Sequence, residues 1–353
     1  MLTYLKANGV LFCLKDHPNM AKPKQQVPER TRPAFHRISP VNINGAPGQR
    51  LMIVLRTRGC EYAAKNDGGC TVCGFANHAL PGIGDQGILD QLTWALEELP
   101  LDGVDEIDLL TLGSFLNENE IAAPVRAELL GMIAGLGGVR RVSFESRSEY
   151  VTAAKLNQSR AILGDRTVEF GIGLESADDH VRNHIIRKGL TRERFERVVA
   201  TLAQTGLDLL VYLLIKPPHL GEAQAIADAV ASVAYVAEVA ARHGVRARMA
   251  LEPVFVAPNT YLERVFQRGE YRLVNLWSVV EVILKTHALG NIFVGLSDED
   301  LARNRTTGSC PACQDRLVAE IERFNHTLDV SRLRELDCPC RATYLADRES
   351  GRI

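Results

Sequence analysis

The chain has 353 residues, 46% of them hydrophobic and 24% charged, with a net charge of −2. That is enough apolar material for one large α/β domain with additions, and the balanced charge provides no overall basic field to draw in nucleic acid, leaving only a local patch open. Eight cysteines are too sparse for a secreted disulfide scaffold, and no apolar run reads as a signal segment or membrane span, so a cytoplasmic protein with reduced cysteines and no membrane partner is expected.

Residues 1–50 hold Pro18, Pro23, Pro28, Pro33, Pro40 and Pro47 and read as an irregular N-terminal arm. From residue 51 strands and helices alternate. Strands are expected over 51–57, 104–112, 140–146, 168–175, 207–215 and 246–253, all rich in Val, Ile and Leu as buried parallel strands are. Helices are expected over 85–98, 121–136, 191–205 and 222–243, then over 272–288 and 315–325. Six β/α units in a row imply a parallel sheet with helices outside it, as an open partial barrel or a doubly wound sheet. The organisation expected is an arm over 1–50, a core over 51–300 and an extension over 301–353.

Seven of the eight cysteines fall in two groups, with Cys13 alone as a packed or semi-exposed thiol. The first group is Cys60, Cys70 and Cys73, spaced C-x9-C-x2-C in a Gly-rich loop directly after the first expected core strand. Three cysteines suit a packed core, or a zinc site with its fourth ligand elsewhere. Their place argues for more, since barrel and α/β proteins put their chemistry on loops at strand C-terminal ends. Three thiolates can hold a cubane [4Fe-4S] cluster and leave one iron without a protein ligand. A small chelator with adjacent amino and carboxylate groups takes such an iron, and S-adenosyl-L-methionine is one. This placement favours the partial barrel over the doubly wound sheet.

The second group, Cys310, Cys313, Cys338 and Cys340, is two paired-cysteine motifs a helix-length apart. Four thiolates brought together make a closed metal site. Zinc and an auxiliary iron–sulfur cluster both accept that donor set, and the spacing leaves the two open.

Several motifs stand in order: LRTRGC…GGCTVCGF, TLGSFLN (111–117), FESRSEYV (144–151), GIGLES (171–176), IRKGLT (186–191), LLIKPPHLGE (213–222), LWSVVEVI (276–283) and the C-x2-C…C-x-C tail. From about residue 50 to the C-terminus this set resembles the radical S-adenosylmethionine superfamily, in the branch of the archaeosine-biosynthesis radical enzyme and the Elp3 catalytic subunit. The resemblance implies an α/β fold, a partial (β/α)6 TIM-like barrel of parallel strands with an N-terminal arm and a C-terminal cysteine-rich metal-binding extension. It implies an oxygen-sensitive [4Fe-4S] cluster on Cys60, Cys70 and Cys73 and an electron donor such as flavodoxin or ferredoxin.

By the same resemblance Gly113, Ser114 and Phe115 would bind the methionyl amino group. Glu145 and Arg147 would reach the cofactor, Arg147 toward its carboxylate. Glu175, following Gly171 and Gly173, would accept ribose hydroxyls. Phe75 would stack on adenine where Val72 replaces the usual aromatic residue. Lys216 either meets an anionic substrate group or snorkels, and Glu222 and Glu252 are further substrate-side candidates. Glu252-Pro253 stands where the archaeosine branch is expected to carry Asn-Pro.

The reading is a radical enzyme that abstracts hydrogen from a small, nucleoside-like substrate, leading to bond cleavage or rearrangement. The alternatives are sulfur insertion with the tail as auxiliary cluster, an archaeosine-type C–N lyase on modified tRNA, and a non-catalytic zinc-stapled binding protein.

Overall fold

The structure, a computed structural model, describes residues 4–7, 10–13, 30–302 and 304–353. Strands β1 (Tyr4–Ala7) and β2 (Val10–Cys13) pair antiparallel. The Cys13 side chain, on which that expectation rests, lies outside what is described, as do residues 1–3, 8–9 and 14–29 of the arm. The main sheet has eight strands: β3 (Phe35–Ile43), β4 (Ala46–Leu55), β5 (Val104–Thr111), β6 (Arg141–Glu145), β7 (Thr167–Glu175), β8 (Asp208–Ile215), β9 (Ala247–Pro253) and β10 (Asn291–Val294). The helices are α1 (Glu61–Lys65), α2 (Asp85–Glu98), α3 (Ala123–Ala134), α4 (Ala153–Leu163), α5 (Arg192–Thr205), α6 (Glu222–His243), α7 (Tyr261–Gln267), α8 (Leu276–Thr286), α9 (Gln314–Thr327), α10 (Ser331–Arg334) and α11 (Cys340–Glu349).

Strand order is β10-β9-β8-β7-β6-β5-β4-β3, each strand beside its sequence neighbour. A doubly wound sheet reverses direction at a switch point; this one never does, so the partial barrel is the fold. All pairings from β4 to β10 are parallel, and β3 joins antiparallel. Two strands go beyond the expected six. β10 has only four residues, too few to show a period. β3 lies within the expected arm, so residues 35–50 are ordered sheet and not irregular chain. The helix α4 also went unread because its apolar residues are few, with Leu156 and Leu163 as its main buried anchors; its N-cap is Thr152, which accepts from the Lys155 N–H.

Alternation along the strands separates two environments. Leu51, Ile53, Leu55, Ile107 and Leu109 point toward the helices and join the main core. Their neighbours point inward. At one end of the lumen these inward residues are charged: Arg50 on β4, Glu106 and Asp108 on β5, Arg141 on β6, Glu169 on β7 and Arg248 on β9. Arg248 reaches Glu106 and Glu169 at 2.6 Å each, Arg141 reaches Glu106 at 3.0 Å, and Arg50 reaches Asp108 at 3.3 Å. β9 and β5 are four positions apart in the sheet, roughly 19 Å if it were flat. The 2.6 Å contact therefore requires a strongly curled half-barrel. Arg50 and Arg248 also both stack on Phe293 of β10, at 5.3 and 5.1 Å. Burial pushes the Glu106 carboxyl up, but Arg248, Arg50 and Arg141 outweigh it and hold the group below the ordinary range.

The extension packs into the same core as the barrel, through Leu317, Ile321 and Phe324. Helix α9 lies over the gap between the two sheet edges. Its Asn325 side chain accepts from the Val294 N–H and donates to the Val294 carbonyl, both at 2.8 Å, so it completes the free edge of β10. On the other edge Asn42 of β3 donates to the His326 carbonyl at 3.0 Å. Among the described residues α6 alone is long and apolar enough to cross a membrane. Its Ala225, Ile226, Ala229, Val233, Val236 and Val239 are buried within the protein.

Arg248→Met should leave Glu106 and Glu169 buried beside too little positive charge. The expected cost is about 3–5 kcal/mol, read as a lowered urea midpoint with unchanged slope.

Candidate functional site

A cavity of about 250 Å³ opens at the C-terminal ends of the parallel strands. Cys60, Cys70 and Cys73 all line it, so the loop after β4 brings the three thiols to one wall. The loop is anchored from outside: the Thr71 N–H donates to the Ile186 carbonyl, its hydroxyl donates to the Ile185 carbonyl, and the Leu262 N–H donates to the Thr71 carbonyl, all at 2.9–3.0 Å. Burial pushes the Cys73 thiol up to about 12 and raises Cys70, whereas Lys188 pulls both down. Thiols set this way remain protonated in the bare protein, and a bound metal is what draws them to thiolate. Three of them in one cavity beside Lys188 and Arg147 fit the donor set of a three-cysteine cluster.

Gly113 lines the same cavity. A Cβ there would stand 2.7 Å from the Cys60 Cα and against the Glu120 carboxylate, so the turn after β5 lies directly on the cysteine loop. Ser114 and Phe115 do not face the cavity. The Ser114 hydroxyl accepts from the Arg147 N–H at 3.1 Å, and Phe115 packs on Phe144 in the core at 5.1 Å. Both were expected to bind cofactor; side chains one residue apart on a turn leave in different directions, and only the glycine meets the ligand space.

Glu145, Arg147, Gly173, Glu175, Phe75 and Glu252 all line the cavity. Arg147 is held in place, donating to Glu149 at 2.6 Å and to the Lys188 carbonyl at 2.9 Å while stacking on Tyr62 at 3.7 Å. Glu175 pairs with Lys188 at 2.6 Å, and that pair lies over Gly173, where any Cβ would collide with both side chains. Lys188, Glu149, Tyr212 and Glu299 also line the cavity and were missed. Lys188 sits in the IRKGLT motif, the one signal that pointed at it.

Lys216 and Glu222 are not in the cavity. They form a buried pair at 3.0 Å, and Lys216 also donates to the Arg272 carbonyl at 2.8 Å. Glu222 accepts from the Ser278 hydroxyl, which in turn meets Tyr344 of α11 at 2.6 Å. These two expected substrate residues instead tie the barrel to the extension.

The tail cysteines converge. The Sγ atoms of Cys310 and Cys313 are 3.5 Å apart, those of Cys310 and Cys338 3.6 Å, and those of Cys313 and Cys340 3.7 Å. All four lie within 4.8 Å of one another, a group able to hold a metal ion. The Trp277 indole N–H donates to Cys340 at 3.4 Å. Burial raises the Cys340 thiol, but this donor and the neighbouring thiols outweigh it and bring it down to about 7.

No family model matches the chain. It is 30% identical to an uncharacterised protein of Methanocaldococcus jannaschii over 83% of this chain and 80% of that one. It is 27% identical to the archaeosine synthase subunit beta of Methanosarcina acetivorans, over 85% of each chain. It is 28% identical to the protein of the same name from Thermococcus kodakarensis, over 88% of this chain and 95% of that one. Among solved structures, an N-terminally deleted archaeal Elp3 of Methanocaldococcus infernus is 14% identical, with a TM-score of 0.46, over 80% of this chain and 64% of that one. The chain belongs to one family with the Methanocaldococcus jannaschii protein, and its similarity to the two archaeosine synthase beta subunits likewise runs over most of its length.

Glu145 and Glu252 in the cavity wall, and Glu120 behind it, are buried carboxyls with no ion-pair partner among the described residues. Burial pushes Glu145 up to about 8 and Glu120 and Glu252 up to about 7, from 4.5. The folded state therefore binds more protons than the unfolded chain between about pH 4.5 and pH 8. Stability from these groups is full at the acid side of that window and is lost as pH rises through it. Melting temperature should fall across the window, and Glu145→Gln should flatten the fall.

Proposed function

We propose that the protein is a radical S-adenosylmethionine enzyme whose cluster is held by Cys60, Cys70 and Cys73. The observation that carries this is the convergence of those three thiols with Gly113, Arg147 and the Glu175–Lys188 pair on one cavity at the strand C-terminal ends. When bound, a [4Fe-4S] cluster and S-adenosylmethionine supply a reductively formed 5′-deoxyadenosyl radical that abstracts hydrogen from substrate. The protein's own part is to seat and shield. Gly113 lets the turn after β5 close on Cys60 and presents backbone to the methionyl group, and Arg147 offers its guanidinium to the carboxylate. Glu175, oriented by Lys188, faces the ribose, and Phe75 lies along the adenine side. Ile172, Leu214, Val254 and Phe255 form apolar wall that keeps water from the reacting centre.

The substrate meets the opposite wall, where Glu252 and Tyr212 stand. The carboxylate at 252 supports a small nucleoside-like substrate that differs from that of the archaeosine branch. An electron donor such as flavodoxin or ferredoxin completes the reaction. At the tail, we infer one zinc ion. A tetrahedron with 2.3 Å metal–sulfur bonds has edges of about 3.8 Å, close to the observed sulfur separations, whereas a cubane spreads its thiolates over four irons. This counts against sulfur insertion. Anaerobically reconstituted protein should hold about four irons and one zinc per chain. It should form 5′-deoxyadenosine under strong reduction. Cys70→Ala should lose the iron and that product, and Cys310→Ala/Cys313→Ala only the zinc. About eight irons in wild type, or no 5′-deoxyadenosine, would refute the reading.

A second reading, an archaeosine-type reaction on tRNA, is supported by the relatives' names and by one surface feature. Arg187 and Arg264, both exposed, stack on Tyr261 at 5.9 and 5.7 Å, and His219 meets the Tyr261 hydroxyl at 3.2 Å. The next residue, Leu262, donates its N–H to the Thr71 carbonyl at 3.0 Å, so a stacking surface with exposed cations borders the cysteine loop. Under this reading a tRNA transcript binds with an affinity that falls steeply with salt, and Arg187→Ala/Arg264→Ala weakens it; salt-independent or absent binding leaves the small-molecule reading.

A further inference from the structure

Glu120 lies in the loop between β5 and α3 and is 3% exposed. A carboxyl this deeply buried is costly unless its oxygens are satisfied. No arginine or lysine pairs with it among the described residues. Its two oxygens instead reach two different segments. One accepts from the Thr57 hydroxyl at 2.6 Å, the other from the Ser114 N–H at 2.7 Å. Thr57 is fully buried just beyond β4, and its hydroxyl oxygen accepts from the Gly59 N–H at 3.3 Å, one residue before Cys60. On the other side the Ser114 hydroxyl accepts from the Arg147 N–H at 3.1 Å. A continuous hydrogen-bonded chain therefore runs from the root of the cysteine loop, through Glu120, to the cavity arginine. A second carboxylate reinforces it: Glu61, next to Cys60, accepts from Asn117 at 2.9 Å and Asn119 at 3.2 Å, both on the loop that carries Glu120.

We propose that Glu120 is a positioning residue that bridges Thr57 and Ser114, and so fixes the Cys60 loop against the Gly113 turn, the two segments that together border the cavity for S-adenosylmethionine. This rests on the reading of the cavity as a radical S-adenosylmethionine site. Glu120 touches neither cluster nor ligand; it acts through the two segments that do. The bridge depends on reach. Glutamine keeps it, its carbonyl accepting from Ser114 and its amide donating to the Thr57 oxygen. Aspartate keeps the acid but is one methylene short.

The test uses the full chain, reconstituted anaerobically, as wild type, Glu120→Ala, Glu120→Asp, Glu120→Gln and the exposed loop control Glu118→Ala. Three readouts are taken: iron and sulfide content, the equilibrium affinity for S-adenosylmethionine without reductant, and the change it makes in the electron paramagnetic resonance spectrum of the reduced cluster. The expected result is normal iron in all five. Affinity should fall about tenfold or more in the Ala and Asp variants, as loss of an outer partner does, with a diminished spectral change. The Gln variant and the Glu118 control should match wild type. Wild-type affinity and spectrum in Glu120→Ala would overturn the proposal, as would rescue by Asp and not by Gln, which would make charge the operative property. If the Ala variant fails to hold iron, the Asp variant decides on the same criteria. A wild-type protein that holds no cluster or binds no S-adenosylmethionine overturns the site reading and this inference together, whereas a result confined to the variants bears on Glu120 alone.

Discussion

The contact between Arg248 and the carboxylates of Glu106 and Glu169 is the constraint on which the half-barrel rests. A parallel sheet with helices on one face leaves its other face bare. Here that face folds onto itself, and three arginines meet three carboxylates across the lumen. Buried ion pairs of this kind add little net stability over a well-packed apolar core. They do specify geometry: the partners come from β4, β5, β6, β7 and β9, so the network is satisfied at one curvature and one register. Phe293, stacked under Arg50 and Arg248, draws the short last strand into the same arrangement.

Above that floor the charges no longer balance. Glu145 and Glu252 stand at the mouth of the lumen without ion-pair partners among the described residues, and burial holds both toward their protonated forms. The 250 Å³ cavity lies at this carboxyl-rich mouth, at the strand C-terminal ends, and a second cavity of about 160 Å³ borders Arg50, Asp108 and Phe293 of the floor. The cysteine loop, the Gly113 turn and the Glu175–Lys188 pair are the pieces that border the larger cavity. At Gly113 a side chain would run into the Cys60 backbone, and at Gly173 it would displace the Glu175–Lys188 pair.

The C-terminal extension serves the same architecture from outside. An open barrel has two raw edges, and α9 covers both, with Asn325 replacing the strand that β10 lacks. The four thiols hold the base of this extension, and the chain from Lys216 through Glu222 and Ser278 to Tyr344 fastens it to the end of β8. Lys216 and Glu222 looked like substrate residues because they follow a strand's C-terminal end, where chemistry usually sits. The extension had already claimed that corner, which their positions in the chain do not reveal.

The amino-acid sequence by itself determined what depends on near neighbours: the six consecutive parallel strands β4 to β9, most of the amphipathic helices, the cysteine spacing and the glycines beside it. These are carried by periodicity and turn chemistry, which act over a few residues. It also brought forward cavity residues at several strand ends, Glu145, Arg147, Glu175 and Glu252, but at two others it brought forward Ser114, Phe115 and Lys216, which lie outside the cavity. Tertiary structure alone decided the remainder. Strand β10 is too short for a period and exists because Arg248's neighbours pair with it. Glu120 has no sequence signature, since its partners Thr57 and Ser114 meet only once two loops are stacked. Lys188 becomes a cavity residue because Glu175 and Gly173 receive it. Whether a polar side chain serves ligand or scaffold depends on which distant groups reach it first, and curvature of the sheet, not local preference, sets those distances.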